Sequence, residues 1–280
     1  MSVIKDIMRR YGFEFTKSLG QNFLINENIP KKIVENSNTT SECGVIEIGT
    51  GFGVLTVELC SVAKKVVAIE IDKKLIPVLD ETLKNFDNVK IINDDVLKVD
   101  LAKLISEEFQ DMDITVCANL PYYITSPIIM GLLEQKLPIK SITVMVQKEA
   151  AERICAKPGT RQCGAVTHAV YYYATPKILF PVVRGNFFPQ PNVDSAVIRL
   201  DINPEPPKNV QNEKFLFSLI KAAFSQRRKT LANPVSGMLS IKKEVVLNCL
   251  EKSNLKATAR AEELTLEQFV TLSNFLIAER

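Results

Sequence analysis

Residues 119–122 are Asn-Leu-Pro-Tyr, a tetrapeptide suited to holding a planar amino group. The amide oxygen of Asn119 and the main-chain carbonyl of Leu120 can each accept one hydrogen bond from an exocyclic NH2 group. Pro121 adds no donor and stiffens the turn, and Tyr122 offers a flat ring on which a base can stack. Two acceptors in that arrangement favour a pyramidal nitrogen whose lone pair points at an electrophile. The tetrapeptide therefore predicts methylation of an amino group on a base, with these four residues as the catalytic set.

A glycine-rich turn, EIGTGFG, lies upstream at residues 47–53. It follows an apolar strand pattern and opens a helical pattern, which is the context that a nucleotide-binding turn needs. Gly49 and Gly51 allow a tight turn and a close approach of the backbone to a ligand. The spacing is G-x-G-x-G, whereas dinucleotide sites use G-x-G-x-x-G and place a pyrophosphate at the helix start. S-adenosylmethionine carries no phosphate, so this turn suits it better as the cofactor.

Acidic residues end the next two predicted strands. Glu70 lies 21 residues after Gly49, where a carboxylate can accept both ribose hydroxyls of a nucleoside. Asp94 and Asp95 end the third strand, where one acid can bind an adenine amino group. Each acid alone is equally typical of a solvated strand end. Three features at successive strand ends, followed by the tetrapeptide at the fourth, favour a methyltransferase.

The elements that must position these residues form an alternating α/β pattern. Strands are predicted at Gly44–Ile48, Lys65–Glu70, Val89–Asn93, Ile114–Ala118, Ile142–Val146, Lys177–Val182 and Ala196–Leu200. Helices are predicted at 29–37, 52–62, 73–85, 99–109 and 126–135, with a helical stretch at 147–174. Strands rich in Val and Ile with helices between them indicate a parallel sheet covered on both faces. The expected fold is α/β, a class I S-adenosylmethionine-dependent methyltransferase with a Rossmann-like, mostly parallel seven-stranded sheet.

A proline-rich segment at 203–208 is the one convincing linker, because it holds three prolines in six residues. Helical patterns at 212–226, 241–253 and 265–278 follow it. We therefore expect residues 1–203 to form the methyltransferase domain, with an N-terminal arm at 1–26. Residues 204–280 are expected to form a small all-helical domain that binds RNA.

Composition narrows the possible functions. The chain has 280 residues, of which 46% are hydrophobic and 24% charged, as in an ordinary globular protein. Residues 181–280 hold 14 Lys and Arg against 10 Asp and Glu, which permits a polyanionic partner. Six cysteines without a C-x-x-C pair and a single histidine, His168, argue against a zinc site, a disulfide framework or a histidine relay. We expect no bound metal, no membrane segment and a cytoplasmic location.

At this point the chain closely resembles the bacterial small-subunit members of the ribosomal RNA adenine dimethylase family. Besides EIGTGFG, the matching segments are KSLGQNFL at 17–24, AIEID at 68–72, NLPYYI at 119–124, QKE at 147–149, FFPQPNVDS at 187–195, AFSQRRKT at 223–230 and RAEE at 260–263. Such a set is far more specific than any one motif. Two positions depart from the pattern: Thr50 replaces a proline of many relatives, and Tyr123 replaces an asparagine of some.

The resemblance implies dimethylation at N6 of two adjacent adenosines in the 3′-terminal hairpin loop of 16S ribosomal RNA. S-adenosylmethionine would be the methyl donor, and the partner would be 16S ribosomal RNA within a small-subunit assembly intermediate, bound by a monomer. The cofactor residues that it implies are Asn22, Leu24, Gly49, Gly51, Glu70, Asp95 and Asn119. Spacing alone leaves Asp94 as an alternative to Asp95.

Other segments are candidates for RNA contact. The resemblance assigns Phe187 a place beside the target base, although an aromatic filling the seam before a strand is nearly as good an interpretation. Arg227, Arg228 and Lys229 can contact phosphates, and no acidic residue lies within 214–243. A charge run can equally be a solvated face.

Three other functions stay open. They are methylation of 23S ribosomal RNA by the sister group that confers macrolide resistance, methylation of a protein glutamine or DNA adenine, and a non-enzymatic role in ribosome assembly or transcription. The GQNF segment, the proline-rich linker and the RAEE tail argue against the first. Intact Asn119, Tyr122 and glycine turn argue against loss of catalysis.

Overall fold

The computed structural model describes residues 10–13, 15–16 and 20–279, so part of the predicted N-terminal arm lies outside the described residues. The strands are β1 (Phe23–Leu24), β2 (Gly44–Ile48), β3 (Lys65–Glu70), β4 (Val89–Asn93), β5 (Ile114–Asn119), β6 (Ile139–Gln147), β7 (Ala174–Val182), β8 (Phe187–Phe188) and β9 (Ser195–Ile202). The helices are α1 (Asn28–Glu35), α2 (Val54–Val62), α3 (Ile76–Thr82), α4 (Leu101–Glu108), α5 (Thr125–Glu134), α6 (Lys148–Ile154), α7 (Ala165–Tyr173), α8 (Glu213–Phe224), α9 (Ala232–Leu239), α10 (Lys243–Lys252) and α11 (Leu266–Ala278).

Seven strands form one sheet in the order β4-β3-β2-β5-β6-β9-β7. The pairs from β4 to β6 are parallel, and β9 runs antiparallel to β6. Every residue of β2 is buried, as expected for a central strand covered on both faces. This arrangement confirms the predicted α/β fold with a mostly parallel seven-stranded sheet.

The strand register places the predicted site residues along one edge. Ile48 lies opposite Ile69 of β3 and Ala118 of β5, so Glu70 and Asn119 each follow one residue beyond it. Parallel strands end at the same edge, and ligands of open α/β sheets bind outside their carboxyl ends. Strand β9 contributes its first residue to this edge because it runs the other way, with Ser195 opposite Gln147.

By packing, the chain divides into two compact units. One contains the described residues up to Ala151 and Pro176–Ile202, and the other contains Glu152–Thr175 and the described residues from Asn203 onward. This grouping differs from the predicted domain boundary after residue 203, because α7 packs with the C-terminal helices. Both hydroxyls of Tyr172 and Tyr173 donate to the Glu213 carboxylate, at 3.1 and 2.7 Å.

Two predicted helical features need correction. The stretch at 147–174 is two helices separated at 155–164, where Pro158-Gly159 interrupts the helical pattern. Helix α9 was not predicted, because Pro234 and Gly237 lie within it; Pro234 is tolerated in the first turn of the helix. None of the helices in the described part of the chain has the length and apolar character that a membrane span requires.

His168 is a packed residue of α7. Its side chain is 0% exposed and its ring lies 4.8 Å from that of Phe269 and 5.4 Å from that of Phe224. Burial lowers the pKa of His168 to about 4, so the ring is neutral at physiological pH.

We predict that His168 makes the protein less stable in mild acid. The unfolded chain takes up the proton near pH 6.5 and the folded one only near pH 4, so stability falls as the pH drops between these values. Lowering the pH from 7 to 5 should remove about 2 kcal/mol through this group. Denaturant unfolding of His168→Gln should show a correspondingly smaller loss over the same interval. Equal losses in the two proteins would refute the prediction.

Candidate active site

A cavity of about 1060 Å3, counting the solvent at its mouth, opens at the carboxyl edge of the sheet. It gathers every sequence-predicted cofactor and catalytic residue into one lining: Asn22, Leu24, Gly49, Gly51, Glu70, Asp94, Asp95, Asn119, Leu120, Pro121 and Tyr122. These residues come from five separate segments of the chain. Their convergence follows from the parallel register of β2 to β5 and from the arm that precedes α1.

The glycine turn between β2 and α2 requires glycine at two positions. Gly49 and Gly51 have φ values of +75° and +56°, which side chains rarely adopt. A Cβ atom on Gly51 would also lie 2.9 Å from the Phe23 ring. The turn thus exposes backbone to the cavity at a point where any side chain would be strained.

Glu70 is the best-anchored polar residue of the lining and is 5% exposed. Its Oε2 accepts from the Thr50 hydroxyl at 3.0 Å and from the Gly51 N–H at 3.1 Å. Its Oε1 accepts from the Asp72 N–H at 2.9 Å. Burial raises the pKa of Glu70, and these hydrogen bonds oppose that rise. The sequence predicts that this carboxylate also accepts from the ribose hydroxyls of a nucleoside.

Asp94 and Asp95 both line the cavity, so the carboxylate of either residue is placed to bind an adenine amino group. Asp95 Oδ1 accepts from the Leu97 N–H at 3.0 Å, and Lys98 Nζ lies 3.9 Å from Oδ2. Asp94 Oδ1 accepts from the Asp95 N–H at 2.7 Å and its side chain is exposed. Each carboxylate keeps an acceptor position for an amino group.

The two predicted acceptors for an exocyclic amino group lie side by side at the end of β5. The Asn119 amide donates through Nδ2 to the Asn22 carbonyl at 3.4 Å, which turns Oδ1 away from that bond. The Leu120 N–H donates to the Met145 carbonyl at 3.2 Å. Among the described residues, neither Asn119 Oδ1 nor the Leu120 carbonyl has a hydrogen-bond partner. Both are therefore available to a ligand.

Pro121 and Tyr122 shape the turn that follows. The Pro121 carbonyl accepts from the Ile124 N–H and from the Thr125 hydroxyl, both at 3.2 Å, which closes a short 3-10 turn over Tyr122–Ile124. The Tyr122 ring lines the cavity, and its hydroxyl lies 2.7 Å from Ser195 Oγ. Burial raises the pKa of Tyr122, so the phenol stays protonated.

The arm before α1 covers part of the cavity. Gln21 Nε2 donates to Asp72 Oδ2 at 2.7 Å, and the Phe23 ring packs 4.5 Å from the Phe52 ring. Leu24 pairs with Phe187 in the two-residue ribbon of β1 and β8. These contacts place Asn22 and Leu24 against the end of β5.

Phe187 is not in the cavity lining of the described residues. Its side chain is 2% exposed and packs into the core with Leu24, Val182 and Val197. It therefore has no open ring face for a base, and the structure supports the packing interpretation of this residue. Its neighbour Phe188 is 39% exposed.

The basic residues Arg227, Arg228 and Lys229 lie in the second unit, in the turn after α8, and all three are exposed. Arg227 Nη2 donates to the carbonyls of Arg161 at 3.0 Å and Cys163 at 3.3 Å. Part of its guanidinium group is thus used to hold a loop of its own unit. The side chains of Arg228 and Lys229 have no hydrogen bond or ion pair within the described ranges.

Glu47, the first residue of the glycine-rich segment, is 0% exposed. Neither carboxyl oxygen has a hydrogen-bond partner in the part of the chain that the structure describes. Burial raises the pKa of Glu47 to about 8, so the group is mostly neutral at pH 7.

Sequence reasoning missed several residues of this site. Thr50 and Gln21 form hydrogen bonds to Glu70 and Asp72, and Ser195 lies within hydrogen-bond distance of the Tyr122 hydroxyl. The EIGTGFG and GQNF segments contain the first two, so their motifs were the available signal. Within the described ranges, no group of three or more His, Cys, Asp and Glu residues could hold a metal ion.

Comparison with known proteins gives the family. The model of the family described as ribosomal RNA adenine dimethylase matches residues 12–278. The chain belongs to the ribosomal RNA adenine dimethylase family. It is therefore an enzyme that dimethylates adenine in ribosomal RNA.

Three relatives differ in how similar they are to this chain. The chain is 49% identical to the ribosomal RNA small subunit methyltransferase A of Bacillus mycoides (strain KBAB4), over 99% of this chain and 96% of that protein. A dimethyladenosine transferase from Plasmodium falciparum has a TM-score of 0.75 at 29% identity, covering 89% of this chain and 95% of that one. The 23S rRNA methyltransferase ErmE has a TM-score of 0.68 at 25% identity, covering 91% and 100%. The small-subunit methyltransferase is thus far more similar in sequence than the 23S enzyme.

Proposed function

We propose that this enzyme transfers methyl groups from S-adenosylmethionine to N6 of two adjacent adenosines in the 3′-terminal hairpin loop of 16S ribosomal RNA. The observation that carries the proposal is the pair of available acceptors, Asn119 Oδ1 and the Leu120 carbonyl, in the same lining as Glu70. The similarity to a small-subunit methyltransferase over nearly the whole chain supports 16S over 23S ribosomal RNA. The substrate would be a small-subunit assembly intermediate in the cytoplasm, bound by a monomer.

The cavity fits S-adenosylmethionine in its chemistry. The glycine turn leaves room for close backbone approach, and the Glu70 carboxylate would accept from a ribose hydroxyl. Asp94 or Asp95 would accept from the adenine amino group, and Ile71, 51% exposed in the lining, would cover an apolar face. When bound, S-adenosylmethionine supplies a methyl group already activated on a sulfonium.

The chain's own contribution is then orientation. A base stacked in RNA cannot present N6 to a recessed site, so the adenosine must leave the stack. Asn119 Oδ1 and the Leu120 carbonyl accept the two N–H bonds of N6 while the Tyr122 ring stacks on the base. The carbonyl dipoles also stabilise the positive charge that nitrogen gains on methylation. The N6 lone pair would form the new N–C bond as the donor's S–C bond breaks and its electron pair stays on sulfur, and the methylated nitrogen would then release one N–H proton to water. This step needs no covalent enzyme intermediate and no part from His168, which is buried in the second unit.

The second methylation makes a different demand on the same two acceptors. Once N6 carries one methyl group, a single N–H bond remains. One acceptor, Asn119 Oδ1 or the Leu120 carbonyl, then holds the nitrogen by itself. The stacking contact with Tyr122 therefore contributes more to the orientation of N6 in the second transfer than in the first.

Methyl transfer to purified RNA particles tests the proposal. Small subunits from cells lacking this protein, free 23S ribosomal RNA and transfer RNA would each be incubated with the protein and labelled S-adenosylmethionine. We expect N6,N6-dimethyladenosine at two adjacent positions of 16S ribosomal RNA only. Label in 23S ribosomal RNA, or modification of other atoms, would refute the proposal.

RNA binding gives a separate prediction for Arg228 and Lys229. If both contact phosphates, the variant Arg228→Ala/Lys229→Ala should bind RNA more weakly and with a flatter salt dependence. Each lost contact lowers the log–log slope by about 0.7–0.9, so the double variant should lose about 1.4–1.8. Fluorescence anisotropy across a salt series measures this slope.

A matched control removes two lysines of the first unit that are paired with acids. Lys103 Nζ lies 3.7 Å from Glu107, and Lys140 Nζ lies 3.4 Å from Asp113. The variant Lys103→Ala/Lys140→Ala should keep the parental slope. If both double variants behave alike, the cluster after α8 is only a solvated face.

A further inference from the structure

Ser195 carries a buried hydroxyl that has no role in the methyl transfer described above. It is 0% exposed, and its Oγ lies 2.7 Å from the hydroxyl of Tyr122. At this distance the two hydroxyls form a hydrogen bond, whichever of them donates. Ser195 is the first residue of β9, far along the chain from the tetrapeptide that holds Tyr122.

The position of Ser195 is fixed by the sheet on one side and by a loop on the other. It lies opposite Gln147 in the antiparallel β6–β9 pair. The preceding residue, Asp194, accepts from the Lys148 N–H through its carbonyl at 3.0 Å, and from the Arg184 N–H through Oδ1 at 2.9 Å. The main chain at Ser195 is therefore held in place at the edge where the cavity opens, and the serine side chain can serve as an anchor there.

Tyr122 needs such an anchor. Its short turn is held by backbone and Thr125 contacts to the Pro121 carbonyl, which fix the main chain but leave the ring free to rotate about two side-chain bonds. Tyr123, the next residue, is 58% exposed, and its hydroxyl has no hydrogen-bond partner among the described residues. Of these two adjacent tyrosines, only Tyr122 has its hydroxyl held by a side chain of the described chain.

We propose that Ser195 is a positioning residue that holds the Tyr122 ring in the plane required for stacking on the target adenine. The proposal rests on the proposed role of Tyr122 in methyl transfer. Ser195 touches neither the base nor the methyl donor and acts only through the phenol. Loss of either hydroxyl should therefore have the same consequence.

Two variants and their combination test this inference. Tyr122→Phe and Ser195→Ala should each lower the single-turnover methylation rate by about 2- to 10-fold at saturating RNA and S-adenosylmethionine, the usual effect of one lost hydrogen bond. The double variant should be no slower than the slower single variant, because both remove one interaction. Tyr171→Phe is the matched control, because Tyr171 lies in α7 and outside the cavity lining, and it should keep the parental rate. RNA affinity should stay unchanged in all four.

A spectroscopic measurement separates positioning from a general loss of structure. The chain has six tyrosines, so the 13C Cζ resonance of Tyr122 can be assigned as the one missing from Tyr122→Phe. Ser195→Ala should move this resonance and leave the other five in place. An unmoved Tyr122 resonance, or rate losses that multiply in the double variant, would refute the inference alone. A parental protein that transfers no methyl group to ribosomal RNA would instead refute the proposed function, and the inference with it.

Discussion

Replacing Asn119 by alanine should lower the single-turnover methylation rate by roughly 100-fold or more, on the scale seen when one preorganised polar group is removed from an active site. The reason is geometric. Asn119 Oδ1 is one of the two available acceptors at the end of β5, and its amide is already oriented by the bond from Nδ2 to the Asn22 carbonyl. Without it, N6 of the target adenosine keeps one hydrogen bond at most and its lone pair is poorly aimed.

The assay must separate this loss from weaker binding, because Asn119 also lines the part of the cavity assigned to the cofactor. It therefore uses saturating S-adenosylmethionine and RNA, with RNA affinity measured independently. Asn85→Ala is the matched control, since Asn85 is exposed and lies outside the cavity lining. A rate near the parental one in Asn119→Ala would show that Asn119 does not hold the amino group.

Replacing Glu70 by alanine should weaken binding of S-adenosylmethionine by roughly 1–3 kcal/mol, the usual cost of leaving hydrogen-bonding groups without partners. The carboxylate holds the Thr50 hydroxyl and the Gly51 N–H in addition to any ribose hydroxyl. Its removal therefore loosens the glycine turn as well as removing a ligand contact. Titration calorimetry measures the affinity.

Glu134→Ala provides the control for Glu70→Ala, because Glu134 is an exposed carboxylate of the same unit at the end of α5. It should bind S-adenosylmethionine like the parental protein. An unfolding measurement on Glu70→Ala shows whether the turn has lost stability as well. Unchanged affinity in a folded Glu70→Ala protein would remove Glu70 from the cofactor site.

The sheet could be predicted closely from local pattern. Strands β2, β3 and β4 begin and end where their Val- and Ile-rich runs do, at Gly44–Ile48, Lys65–Glu70 and Val89–Asn93. Because parallel strands end at a common edge, the positions of Glu70 and Asn119 beside the glycine turn followed from those boundaries. This part of the site depends on periodicity and strand order, which are properties that a sequence displays directly.

The remainder of the site depends on contacts between distant segments. No local sequence pattern indicates that Phe23 pairs with Phe188, or that the Tyr122 hydroxyl contacts Ser195. The side-chain direction of Phe187 is likewise set by the β1–β8 ribbon, which turns the ring into the core beside Leu24. Resemblance could point to the segment that contains Phe187, but only packing shows which ring of the Phe187–Phe188 pair is open to solvent.

Helix α9 could not be predicted because its local sequence favours a different structure. Its sequence, ANPVSGML, contains a proline and a glycine that favour a turn when considered locally. Pro234 is nevertheless buried near the helix start, and Val235 is buried beside it. Tertiary packing outweighs the local preference, as it often does for short helices.

Mapping dimethyladenosine in 16S ribosomal RNA tests the central claim most directly. The RNA would be isolated from cells that lack this protein, and from the same cells supplied with the parental chain or with Asn119→Ala. Mass spectrometry of nuclease fragments should show two adjacent N6,N6-dimethyladenosines in the 3′-terminal hairpin only with the parental chain. Full dimethylation of that hairpin in cells lacking the protein, or its absence when the parental chain is restored, would contradict the claim.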